Sequence, residues 1–274
     1  MFNRVGVFFN QTKTHITPLA QQAVDFLRAH QVQATLFTTL DNLPDLDVLV
    51  TMGGDGTLLR CARVCVPKNI PILGLNCGTL GFLAAAEKEE MHAALTALLE
   101  GKCVERKHLM LQVTVHQKGT TQTFAALNDC VLHPANMRAF FISAAFNGTE
   151  MPPYFGDGVI VATPTGSTAY SLAAGGPIVE PNVDVLVVTP ICPHSLSQRP
   201  MVLSANGKLL LKPAFKNTED GAVASFDGQV HIPLYAGAEI EIVRAPFTAQ
   251  LLTLPQRGFF TALHKKLSWG QDNA

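Results

Sequence analysis

One stretch constrains the fold of this chain more than any other. Asp47-Val48-Leu49-Val50-Thr51-Met52 is an apolar run of strand length, and it passes without a spacer into Gly53-Gly54-Asp55-Gly56-Thr57. Leu58 to Val66 then has helical spacing. A buried strand, a glycine turn and a helix in direct succession are the grammar of an open α/β sheet, whose ligands bind just outside the carboxyl ends of the strands. Glycines leave room for backbone to approach phosphate oxygens, their N–H groups can line an anion nest, and the following helix adds its positive dipole end. Asp55 is the anomaly, because an acid at the centre of such a turn repels the ligand that the turn attracts. It needs a task, as a general base or a water-mediated metal ligand.

The surrounding chain agrees. Val5 to Phe9, Ala34 to Thr38 and Pro71 to Leu75 read as strands, while Pro18 to Ala29 and Glu87 to Glu100 read as amphipathic helices, the second stopped by Gly101. After Lys102 the pattern changes to turn-separated strand-length runs: Leu109 to His116, Thr123 to Leu132, Phe140 to Phe146, Val183 to Thr189, Lys208 to Lys212, Ala222 to Phe226 and Glu239 to Arg244. Phe259 to Trp269 is helical again. The expected organisation is an α/β domain with a Rossmann-like parallel sheet over residues 1–104 and an all-β domain over 105–255. A C-terminal helix within 256–274 is expected to pack back on the first domain.

Composition limits the functions open to such a chain. Hydrophobic residues are 47% and charged residues 15% of the 274, enough apolar material for full folding. The net charge of -1 argues against a nucleic-acid binder or a polybasic membrane-surface protein, so phosphate binding must be local. The six cysteines form no CxxC pair and have no histidine at zinc-finger spacing, which reads as reduced, buried thiols. The start, MFNRVGVFFN, lacks the apolar segment and cleavage site of a secretory signal, and no run reaches the roughly 18 apolar residues of a membrane span. A cytoplasmic protein with neither nucleic-acid nor membrane partners is expected.

The turn lacks the GxxxxGK[ST] of a P-loop and the GxGxxG of a dinucleotide fold. Gly53 to Thr57 resembles instead the GGDGT turn of a superfamily that includes NAD kinases, diacylglycerol and sphingosine kinases and, as GGDGS, phosphofructokinases. Further blocks, in order, narrow this. Asn76-Cys77-Gly78-Thr79-Leu80-Gly81-Phe82-Leu83 resembles the NxGxLGFL segment of NAD kinases, and Asn128-Asp129 stands where that family usually has Asn-Glu. Asp157 to Pro177, Pro190 to Pro200, Asp227-Gly228-Gln229 and the closing Phe260 to Trp269 follow the same family's signatures, so the resemblance spans nearly the whole chain.

That resemblance implies phosphoryl transfer from ATP, or another phosphate donor, to the 2′-hydroxyl of the adenosine ribose of NAD, giving NADP. Asp55 would be the general base, and Gly53, Gly54, Gly56 and Thr57 would hold donor phosphate. Asp55, Gly56, Arg60, Phe82, Asn128, Asp129, Arg138, Asp157, Thr168, Ala169, Tyr170, Ser171, Leu172, Ala173 and Gln229 would contact the dinucleotide. Asn128 and Asp129 would fix the adenosine and Asp157 the nicotinamide amide or its ribose. No carboxylate cluster suggests a protein metal cage, so a divalent magnesium ion is expected to arrive with ATP. The β domain, with lightly charged strand edges, is expected to join a homo-oligomer, a dimer or tetramer in which a neighbouring subunit completes the site.

The residues alone leave several of these readings open. Thr163 to Thr168 offers hydroxyl and amide donors, or is a loop leading into an N-capped helix. Tyr170 stacks on adenine or simply packs; Arg60 meets phosphate or is a solvated charge; His194 reads as structural. Two departures from the family stand out. Asp129 is a methylene shorter than glutamate, and Phe155 occupies a position where some members carry a basic residue. The competing functions are a lipid kinase on the same fold and a non-catalytic NAD(P) sensor.

Overall fold

The computed structural model describes residues 2–78, 81–136, 138–215 and 220–268. Thr79 and Leu80 of the NxGxLGFL-like stretch, and Trp269 of the tail, lie outside the described residues. In chain order the elements are β1 (Arg4–Phe9), α1 (Thr17–Ala29), β2 (Gln33–Phe37), β3 (Val48–Gly53), α2 (Asp55–Cys65), β4 (Ile72–Asn76), β5 (Ala86–Glu87) and α3 (Met91–Leu99). There follow β6 (Val104–Gln117), β7 (Thr120–Ala126), β8 (Asp129–Pro134), β9 (Phe140–Phe146), β10 (Thr149–Gly156), β11 (Gly158–Ala162), α4 (Tyr170–Ala173) and β12 (Val185–Ile191). The last are β13 (Met201–Ser204), β14 (Leu209–Ala214), β15 (Ala222–Phe226), β16 (Val230–Leu234), β17 (Glu239–Thr253) and α5 (Phe259–Leu267). Two compact units result, one from Met1–Lys107 with Ala249–Ala274 and the other from His108–Thr248.

In the first unit the parallel strands run in the order β2, β1, β3, β4, with Leu251 and Leu252 of β17 added in parallel beside β4. Every residue of β3 and β4 is buried, as continuous apolar runs are when both faces of a sheet are covered. Pro18 sits in the first turn of α1, where its missing N–H costs nothing, and Ala20, Ala23, Val24 and Leu27 face the core. Gly53 pairs with Asn76, so two motif residues lie side by side at the carboxyl edge of the sheet. The expected helix over Glu87 to Glu100 is divided. Glu87 and Glu90 form a reciprocal capping box around a short 3₁₀ turn, and α3 proper begins at Met91.

The second unit holds an antiparallel sheet in the order β13, β12, β11, β8, β15, β16, and a further antiparallel run β10, β9, β14 and the first part of β17. Inward residues such as Leu132, Val161, Leu186, Leu209, Phe226 and Ile240 make its core. The architecture is the expected one, a mostly parallel α/β sheet, an all-antiparallel second sheet and a C-terminal helix. Two further readings are corrected in detail, and one strand was not read at all. The run Thr123 to Leu132 breaks at Leu127-Asn128 into β7 and β8, and β17 continues well beyond Arg244. The strand β10 was hidden by Pro152 and Pro153, which it tolerates at an irregularity between Met151 and Tyr154 on the edge of its sheet. Among the described residues no helix is long and apolar enough to cross a membrane.

Candidate active site

In the first unit the site is built at the end of β3. Gly54, in extended conformation, caps α2, and Asp55 is that helix's first residue, where the dipole favours an acid. Its carboxylate is not left alone. Oδ2 accepts the amide hydrogen of Phe82 at 2.9 Å and Oδ1 that of Leu83 at 3.2 Å. The approach is so close that a Cβ on Gly81 would lie 1.9 Å from Oδ1, so only glycine fits there. Each carboxylate oxygen carries two lone pairs, and these two bonds therefore orient the group while leaving it able to accept another proton or hydrogen bond. Beside Gly54, by contrast, the space a side chain would take is open.

The segment that supplies these amides is itself anchored. Asn76 Nδ2 donates to Glu87 Oε2 at 2.6 Å and to the carbonyl of Gly78 at 3.2 Å, and its Oδ1 accepts the Gly78 amide at 3.3 Å. Glu90 accepts the Glu87 amide at 3.0 Å and binds Arg257, which also approaches Glu87 at 3.8 Å. The Glu87 amide, and after it the Arg257 guanidinium, hold the Glu90 carboxyl below its ordinary range.

In the second unit a cleft of about 570 Å³ is lined by Asn128, Asp129, His133, Ala169, Tyr170, Asp227 and neighbours. Its floor is a backbone clamp. The Asp227 carboxylate accepts three consecutive amides, from Leu127 at 3.1 Å, Asn128 at 2.7 Å and Asp129 at 3.3 Å. On the other side Thr163 donates its hydroxyl to the Leu127 carbonyl at 2.6 Å, and its amide to the Asn128 carbonyl at 2.8 Å. A Cβ on Gly166 would lie 2.0 Å from that same carbonyl oxygen. With its backbone held throughout, Asn128 keeps its side chain for the cleft.

Asp129 is 5% exposed and beside Asp227, and burial followed by that neighbouring charge raises its carboxyl from 3.8 to about 7. Asp227 collects the three amide donors, and among the described residues no side chain or amide donates to the Asp129 carboxyl. A desolvated acceptor on the wall of a cleft calls for hydroxyl donors from a ligand.

The family model described as ATP-NAD kinase N-terminal domain matches residues 41–103, and the one described as ATP-NAD kinase C-terminal domain matches residues 127–254. The chain is 36% identical over 283 residues to the NAD kinase of Geotalea daltonii, across 98% of this chain and 99% of that protein. To the NAD kinase of Symbiobacterium thermophilum it is 44% identical over 226 residues, across 82% of this chain and 79% of that one. The chain belongs to the NAD kinase family. It is an enzyme, and its activity is that of an NAD kinase, which makes NADP. Two solved structures share the fold. Yeast NADH kinase complexed with NADH matches with a TM-score of 0.87 at 25% identity, over 98% of this chain and 88% of that one. An NAD kinase from Archaeoglobus fulgidus in complex with ATP matches with a TM-score of 0.77 at 26% identity, over 96% and 98%.

Of the residues picked out for the NAD kinase site, Asn128, Asp129, Ala169 and Tyr170 come together on the cleft. Others do not line it. Ser171 is fully buried and shares a hydrogen bond with Thr189 at 2.8 Å, while Thr168 donates to the Thr165 carbonyl. Thr165 is bonded to His108, and Ser167 to Pro164 and Val179. The hydroxyl-rich segment thus directs its side chains into its own support. Leu172 and Ala173 lie on α4, and Gln229 lies in the turn after Asp227. Arg60 and Asp157 are exposed.

Arg138 lines a different cavity of the second unit, about 370 Å³, with Phe140, Phe141, Phe155 and Asp220. There Phe155 stacks on Phe141 at 4.3 Å and meets His194 edge-on at 4.7 Å, an aromatic cluster where a basic residue was the alternative. The residue that sequence reasoning placed in a motif block but gave no role is Asp227. Its signal was present, an Asp-Gly turn between two strand-like runs, but nothing local says that the carboxylate reaches back to residues 127–129.

Proposed function

We propose that this NAD kinase transfers the γ-phosphoryl group of ATP to the 2′-hydroxyl of the adenosine ribose, with Asp55 as general base. Asn128 and Asp129 would hold the adenosine, and the Gly53–Thr57 turn would hold donor phosphate. The observation that carries the acceptor half is the Asp129 carboxyl, desolvated on a cleft wall with Asn128 beside it. A ribose diol supplies the missing donors, and the Asn128 amide presents both a donor and an acceptor to a purine edge.

In the reaction the 2′-hydroxyl gives its proton to Asp55 as its oxygen bonds to the γ-phosphorus, and the β,γ-bridging oxygen leaves with ADP. The Phe82 and Leu83 amides support this role by fixing the base's direction, so that proximity and orientation do most of the work, as is usual in phosphoryl transfer. Among the described residues no three His, Cys, Asp or Glu side chains converge. Magnesium would enter as part of the ATP substrate, where it would neutralise phosphate charge. Because NAD and NADH are identical at the adenosine end, a site that reads this end alone would accept both. The free cysteines, five of them buried or half-buried, fit a reducing cytoplasm.

Separate kinetics for Asn128→Ala and Asp129→Ala test the assignment. The KM for NAD is expected to rise at least tenfold with the KM for ATP unchanged. A rise confined to ATP would reverse the two halves of the site.

A further inference from the structure

The Asp55 carboxylate is aimed by the amides of Phe82 and Leu83, and what holds this short segment comes from the far end of the chain. The ammonium of Lys266, on the last turn of α5, lies 4.5 Å from the centroid of the Phe82 ring, a cation–π contact. The helix is anchored by Leu263, 1% exposed, and begins at Phe259, two residues after Arg257, the partner of Glu87 and Glu90. Glu87 in turn holds Asn76. Residues 257–266 therefore grip the catalytic edge twice, through Asn76 where the motif opens and through Phe82 where it meets Asp55.

We propose that Lys266 is a positioning residue for phosphoryl transfer: seated on the Phe82 ring, its ammonium fixes the backbone amides that aim the Asp55 carboxylate. This rests on the reading of Asp55 as general base. Lys266 itself is exposed and touches no reacting atom in this account. Its effect passes through the Phe82 side chain to that residue's backbone N–H, which donates to the Asp55 carboxylate, so it should act on the chemical step and not on substrate affinity.

The test compares full-length Lys266→Met, which keeps the stem and removes the charge, with Lys266→Arg, which keeps a cation over the ring. Expected for Lys266→Met is a kcat lower by about two- to fivefold, the rate equivalent of an exposed cation–π contact. Both KM values and the melting temperature should be unchanged, and Lys266→Arg should restore kcat. Combined with Asp55→Asn, the Met substitution should add nothing. Three results would overturn the proposal: unchanged kcat in Lys266→Met, no rescue by arginine, or a loss appearing only as a higher KM for ATP, which would make Lys266 a donor-phosphate ligand. Near wild-type turnover in Asp55→Asn alone would remove the general-base reading and this proposal with it. An inactive Asp55→Asn beside a fully active Lys266→Met would remove only the proposal.

Discussion

Asp227 accepts the amide hydrogen of Asn128 at 2.7 Å across 99 residues of sequence. Asp227 stands at a φ of 52° in the turn between β15 and β16, a left-handed conformation that aspartate tolerates better than most side chains. From there its carboxylate also takes the amides of Leu127 and Asp129, and its own N–H returns to the Asp129 carbonyl at 3.0 Å. At the break between β7 and β8 Asp227 thus holds the amide side of the backbone, as Thr163 holds its carbonyls, and Asn128 is presented to the cleft.

Asp227→Ala removes a charged acceptor from three amides, of which those of Leu127 and Asp129 belong to buried residues. A loss of about 3 kcal/mol in unfolding free energy is expected, since each stranded donor costs roughly 1–3 kcal/mol and local relaxation recovers part of it. The KM for NAD should rise with it. Urea unfolding and steady-state kinetics read the two effects, and a variant as stable as the parent would show that the clamp is replaceable by solvent.

Asp129 connects the cleft to pH. Burial, and after it the neighbouring Asp227, raises the Asp129 carboxyl to about 7. An acid raised on folding binds more protons in the folded than in the unfolded state, so stability without ligand should fall as pH rises from about 4 to about 7. Ribose hydroxyls donate best to the ionised form, so the KM for NAD should fall as pH rises through about 7. Asp129→Asn should flatten both profiles; a KM profile that is flat in the parent enzyme would remove Asp129 from the acceptor contacts.

Asp55→Asn is expected to lower turnover by about a hundredfold or more, the usual span for a lost general base. The geometry adds a second effect. An asparagine can accept from only one of the Phe82 and Leu83 amides and sets its own NH₂ against the other, so the 81–83 segment should also loosen. Hydrogen exchange at those amides should quicken while the melting temperature changes little. Turnover near the parent's would leave Asp55 as a tether alone.

The second unit carries edge strands and exposed apolar side chains that suit association. Leu196 is 90% exposed, and Val202, on the edge strand β13, is 50% exposed. We expect a dimer or tetramer with a neighbouring subunit at the dinucleotide site, and activity that falls on dilution. Light scattering that found a fully active monomer would defeat this while leaving the kinase activity untouched.

By itself the sequence determined the elements whose signals are local. Apolar runs such as Val48 to Met52 could only be buried strands, and the glycines after them could only be a tight turn into a helix. The change from helix-separated to turn-separated strands marked a second, β-rich unit. The motif blocks marked the family and Asn128, Asp129 and Tyr170 as cleft residues.

Only the tertiary structure decided where polar side chains point and which distant groups meet. The hydroxyls of Thr163, Ser167 and Thr168 looked like ligand donors because composition records donors without directions; packed against buried carbonyls that would otherwise lose their partners, they turn inward. The split at Leu127-Asn128 was illegible because the run is apolar enough to continue as a strand, and what stops it is Asp227, brought near by the pairing of β15 with β8. Asp55 in the sequence was an acid among the glycines of a tight turn; in the fold it is an acid held by two amides from residues 82 and 83. That contact exists because the end of β3 and the chain beyond β4 meet at one edge of a parallel sheet, and periodicity, which reports burial along a single element, carries no record of such a meeting.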